Sequence, residues 1–217
     1  MMNQTFKLSN PLSFGEEVAN TVTHGIGALG MLALLPITAV YAFQRYDVTA
    51  VVGMSIFVIS LFLMFLSSTV YHSMTYGTPQ KYILRIIDHS MIYIAIAGSY
   101  TPVALSLVGG WLGIVIIILQ WGVTVFGILY KIFARNINER FSLILYLLMG
   151  WLVVFILPAI IKETTVVFGL LMLAGGLAYT IGAFFYAKKK PYFHMIWHLF
   201  ILLASALQYL AIVYYMI

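Results

Sequence analysis

Apolar residues fall along this chain in long blocks rather than in alternation. Seven segments of about 20 residues carry almost no charge, which is the length a helix needs to cross a hydrocarbon core of ~30 Å. They cover 18–43, 50–71, 83–107, 111–133, 141–161, 166–187 and 192–217. The period-2 alternation of a membrane barrel is absent. A spanning segment must satisfy its own backbone polar groups, so each block is expected to be a helix. Pro36, Pro102 and Pro158 lie inside blocks, where the missing N–H should kink or locally open the helix. Short connections favour antiparallel neighbours. The expected fold class is all-α, an integral membrane bundle of seven transmembrane helices. It forms one domain over 1–217, with 1–17 as a short cytoplasmic segment before the first span.

Composition narrows the chemistry. The chain has 217 residues, 63% hydrophobic and 8% charged, so too little remains outside the blocks for a separate soluble domain. The first block is far longer than a signal-peptide core and is expected to be retained. Cysteine is absent, which excludes disulfides and thiolate ligands and leaves His, Asp, Glu or water for any metal. The net charge of +5 does not imply nucleic acid, because the bases are scattered singly apart from Lys188-Lys189-Lys190. Their placement reads as topology instead. Lys7, Lys81, Arg85, Lys131, Arg135, Arg140 and Lys188 to Lys190 flank one side, nine in all, against Arg45 and Lys162 on the other. This bias predicts a cytoplasmic amino terminus and an external carboxyl terminus.

The polar residues inside the blocks are not scattered. His194 and His198 are four apart at the start of the last block, so both rings sit on one helix face. His72 ends the second block, Asp88 and His89 begin the third, and His24 lies about two turns into the first. All five histidines therefore fall in one leaflet. Intramembrane ionisable groups are costly and usually pair inside the bundle. His72, His194 and His198 form a plausible set of three metal ligands, with Asp88 able to hold or deprotonate a metal-bound water. Adjacent helix residues diverge by about 100°, so Asp88 and His89 should not reach one point. Asp88 is expected to face inward, and His89 to bond to a neighbouring helix. Ser68 precedes His72 by one turn on the same face and could bind water, a carbonyl or its own helix backbone. Glu17, Asn20 and His24 share a face of the first helix and would orient the ligands. For His24 or His89 alone, an interhelical hydrogen bond is the plainer reading, as it is for Gln120 and Gln208. The glycines at 25, 27, 30, 169, 175 and 176 read as sites of close helix approach.

The motifs Glu17-x-x-Asn20-x-x-Thr23-His24, Ser68-x-x-x-His72, Asp88-His89 and His194-x-x-x-His198, in this order, resemble the haemolysin III proteins of bacteria. That family stands with the progestin and adipoQ receptors and, more distantly, the alkaline ceramidases. The resemblance covers nearly the whole chain. It implies zinc held by His72, His194 and His198, with Asp88 at a zinc-bound water and Ser68 nearby, in a multi-pass protein of the bacterial cytoplasmic (inner) membrane. The chain lacks the long amino-terminal region of the eukaryotic receptors, which argues against receptor-type signalling.

Three functions follow as expectations. The first is a zinc-dependent hydrolase of a lipid amide or ester, with Asp88 as proton acceptor and Ser68 steadying the carbonyl oxygen. The second is a non-enzymatic regulator or sensor of membrane lipid state, with zinc stapling the helices. The third is cytolysis by pore formation, which sits poorly with seven apolar spans that have no soluble form. The expected partner is a membrane lipid, as substrate or ligand; no protein partner is implied.

Overall fold

A computed structural model describes residues 11–134 and 136–216, so Lys7, Arg135 and Ile217 lie outside the described residues. Within them the chain forms α1 (Phe14–Arg45), α2 (Val48–Ser73), α3 (Pro79–Pro102), a π-helical stretch (Val103–Val108) and α4 (Gly110–Phe133). There follow α5 (Glu139–Trp151), α6 (Val153–Ile160), α7 (Val166–Ala187) and α8 (Phe193–Tyr214). Taking α5 and α6 as one span, seven helical segments are long and apolar enough to cross a membrane. Large apolar side chains such as Phe155, Trp111 and Val166 face outward, as a lipid-facing surface requires.

The helices begin where the side chains can cap them. Ser13 and Glu16 form a reciprocal capping box that starts α1 four residues before the first apolar block, so part of the segment expected before the first span is helical. Asp47, Thr78, Asn138 and Thr165 accept first-turn backbone N–H groups of α2, α3, α5 and α7. Tyr192, before α8, has a left-handed backbone (φ 59), and its N–H donates to Glu16 Oε1 at 2.8 Å. That bond ties the start of α1 to the start of α8.

Of the three prolines inside the blocks, only Pro102 coincides with a change of helix type. α1 runs through Pro36 without interruption, losing only the bond that the proline nitrogen cannot donate. After Pro102 the helix widens into the π-helical stretch. The fifth span breaks at Leu152, six residues before Pro158. There the Tyr100 hydroxyl donates to Gly150 C=O and accepts the Val153 N–H, both at 2.7 Å, and Gln120 Nε2 donates to Met149 C=O at 3.0 Å. Side chains of α3 and α4 have thus replaced rungs of the fifth span's own ladder, a recognised cause of helix breaks.

Consecutive helices pack side by side, and α1 closes the ring against α8. Half or more of the most apolar stretch is buried in the spans of α2, α3 and α8, against 28% for α1, α4 and α7 and 17% for the fifth span. The three inner spans are those that bear His72, Asp88 with His89, and His194 with His198.

Candidate metal centre

The site is built from the ends of helices that start or finish at one end of the bundle. His72 reaches it from the last turn of α2, and His194 and His198 from the first two turns of α8. One ring nitrogen from each of the three lies within 4.8 Å of the others, and among the described residues this group comprises only these three side chains. The Nε2 atoms of all three are buried without a hydrogen-bond partner. Three converging imidazole nitrogens left unpaired in an apolar interior fit a metal ion, since a buried polar atom otherwise needs a partner.

The opposite ring nitrogens show how the rings are oriented. His72 Nδ1 is 2.6 Å from Glu17 Oε2, so a donated N–H there leaves Nε2 as the free lone pair. Lys81 Nζ donates to the other Glu17 oxygen at 2.6 Å. His198 Nδ1 lies 3.4 Å from Thr23 Oγ1, and the ring also interacts with the Asn20 backbone. Such partners fix ring rotation and tautomer around a metal.

The remaining sequence candidates divide. His24 is 3% exposed and lies flat on His198, with ring centroids 3.5 Å apart and planes 8° from parallel. An imidazole donates in its own plane, so an ion in the plane of His198 stands about 3.5 Å out of the plane of His24. His24 therefore supports the His198 ring and cannot ligate the same ion. Asn20 is fully buried and meets His198 through its backbone, while both amide atoms lack partners. Asp88 is buried, interacts with the Ser68 side chain, and stands outside the three-histidine group. His89 is not in the three-histidine group: its Nδ1 donates to Arg85 C=O at 2.9 Å and lies 3.5 Å from Asp88 Oδ2, while its Nε2 lies 3.3 Å from the Tyr186 hydroxyl on α7.

A cavity of about 530 Å³ begins at His24 and Asp88 and runs past Tyr100 and Gly150 to Thr164 and Thr165 at the other end of the bundle. From Asp88 on α3 to Val103 at the start of the π-helical stretch it extends about 22 Å at the helical rise. Its walls are almost entirely apolar. Gly169 and Gly176 border it and approach no helix, unlike Gly27, where an added Cβ would stand 2.7 Å from Leu202.

Sequence reasoning missed Lys81, which the charge bias counted as a topology signal. It is 1% exposed and ion-paired inside the site. Its spacing offered a clue: Lys81 and Asp88 are seven apart and share a face of α3.

Comparison with known proteins finds relatives along nearly the whole chain. The family described as "Haemolysin-III related" matches residues 12–209. The chain is 37% identical to "Hemolysin-3" of Bacillus cereus over 93% of its own length and 92% of that protein. It is 40% identical to "Hemolysin-3 homolog" of Bacillus subtilis (strain 168), over 92% of its length and 94% of that protein. Similarity extends to the human "Monocyte to macrophage differentiation factor", 30% identical over 72% of this chain and 67% of that one. The seven apolar spans and a family match over nearly all of its length make the chain a multi-pass membrane protein that belongs to the haemolysin-III-related family.

Proposed function

We propose that the protein is a zinc-dependent hydrolase that cuts an amide or ester bond of a membrane lipid inside the bundle. The observation that carries this reading is the apolar cavity of about 530 Å³ whose polar end is lined by Asp88 and His24, the latter stacked on His198 of the three-histidine cluster. Zinc suits the donor set, because the chain has no thiolate and neutral imidazole is a preferred zinc ligand. Held by His72, His194 and His198, it would polarise a scissile carbonyl and bring the pKa of water to around 7.

The protein's own groups do the rest. Asp88 accepts a proton from the attacking water and returns it to the departing nitrogen or oxygen as the carbon–heteroatom bond breaks. The products are a free acid and an amine or alcohol. Ser68 holds the Asp88 carboxyl in place, and Glu17 holds His72. The cavity takes the hydrocarbon part of the lipid out of contact with water. A protein set of three donors, with His24 excluded by its stacking, favours a reactive centre over a structural staple, which is ordinarily closed by four. The name of the Bacillus cereus relative carries lysis, but an apolar lining weighs against a water-filled path for ions. From the bias of the bases we infer that the site lies toward the cytoplasm, in a bacterial cytoplasmic membrane.

The test combines metal analysis with lipid turnover. Purified protein should hold about one zinc per chain, and His194→Ala with His198→Ala should lose it. Incubation with mixed bacterial lipid should release fatty acid, detected by mass spectrometry, and Asp88→Asn should lower that release about 10²–10⁴-fold while keeping the metal. Wild-type protein without metal, or release unaffected by Asp88→Asn, would sink the proposal.

A further inference from the structure

Lys81 is a charge held at 1% exposure at the start of α3, and the proposed hydrolysis gives it no task. Its position is fixed from several sides. Its backbone N–H caps α3 by donating to Thr78 Oγ1 at 3.2 Å. Its ammonium donates to Glu17 Oε1 at 2.6 Å and stands 4.7 Å over the ring of Tyr71, the neighbour of His72. Glu17 receives His72 Nδ1 at 2.6 Å on its other oxygen, Oε2. The result is a linear chain across three helices, Lys81 on α3 to Glu17 on α1 to His72 on α2.

We propose that Lys81 is a positioning residue that sets the metal affinity of the site by holding the Glu17 carboxylate in register with His72. This rests on the metal reading above. Glu17 lies in the first turn of α1 and keeps 18% side-chain exposure, so without a second partner its carboxylate is free to rotate toward water. The ammonium pins one oxygen and leaves the other pointing at His72 Nδ1. The choice of lysine matters: an ammonium acts as a point donor, whereas a guanidinium fork claims both carboxylate oxygens. The ionic contact also accounts for a buried lysine beside an apolar core, where an unpaired charge would be strongly disfavoured.

The experiment is a double-mutant cycle on zinc affinity, measured by competition with a chromophoric chelator on full-length protein in detergent. Lys81→Met and Glu17→Gln should each weaken zinc binding about 10–100-fold, the usual effect of losing a partner behind a metal ligand. If Lys81 acts through Glu17, adding Lys81→Met to Glu17→Gln changes affinity by less than about twofold, because coupled residues are not additive. That double variant removes both charges together and serves if Lys81→Met alone does not fold. Lys81→Arg should also weaken binding, since the fork competes for the oxygen that His72 uses. Additive losses, unchanged affinity in Lys81→Met, or full rescue by Lys81→Arg overturns the proposal while leaving the metal site intact. A wild-type protein that binds no zinc removes the metal reading itself.

Discussion

His24 and His198 lie as parallel plates, and that geometry keeps His24 from sharing an ion with His198. A flat apolar ring should replace His24 without loss of metal. His24→Phe is expected to keep zinc near one per chain, whereas His198→Phe should reduce it to background; both are read by elemental analysis of purified protein. Zinc lost from His24→Phe would contradict the stacking argument. Much of this site was legible at the level of single residues. The four-residue spacing of His194 and His198 follows from helix geometry, and His72 and Asp88 fall at the same depth once the spans are marked. Lys81 was not legible as a site residue, because a basic residue beside a span carries the same one-letter signal whether it faces water or a buried carboxylate. Only the contact that Lys81 of α3 makes with Glu17 of α1 tells the two apart.

Among the elements, the fifth span is interrupted where side chains of its neighbours bond to its backbone. Its break is made by the hydroxyl of Tyr100, bonded to Gly150 C=O and the Val153 N–H. Tyr100→Phe keeps the ring and deletes both bonds, so stability should fall by about 1–3 kcal/mol. We expect a thermal midpoint in detergent lower by roughly 2–10 °C, together with faster amide exchange near Val153. An unchanged midpoint with unchanged exchange would show that the break has another cause. The seven apolar blocks announced their helices because period and length survive any packing. The position of the break did not appear in sequence, since Pro158 is a local signal while the tyrosine that opens the span lies about 50 residues away. The glycine pattern was ambiguous for a related reason: a missing side chain permits either a close helix or open space. Gly27 uses the first option, and Gly176 the second.

At the scale of the molecule, the cavity and the topology each admit a test. An added Cβ on Gly176 meets nothing within 4 Å, so a larger side chain can enter the cavity without striking a helix. Gly176→Phe should therefore leave zinc content unchanged and reduce fatty-acid release about tenfold or more, the scale at which apolar pockets discriminate by size. Equal turnover would place the lipid elsewhere. For topology, a reporter fused after Ile217 should signal from the external side, in line with the excess of bases at the opposite flanks; a cytoplasmic signal would reverse the assignment.

The bond from the Tyr192 N–H to Glu16 joins the start of α1 to the start of α8. During synthesis His72 emerges well before His198, and at about 5–20 residues per second the interval is on the order of ten seconds. Throughout that interval Glu16 lacks its α8 partner and His72 has no companion ligands. The three-histidine cluster thus assembles only when α8 joins α1, two residues downstream of the Tyr192 contact. A chain whose α8 has not yet seated therefore differs chemically from the folded one by an exposed imidazole and an exposed carboxylate.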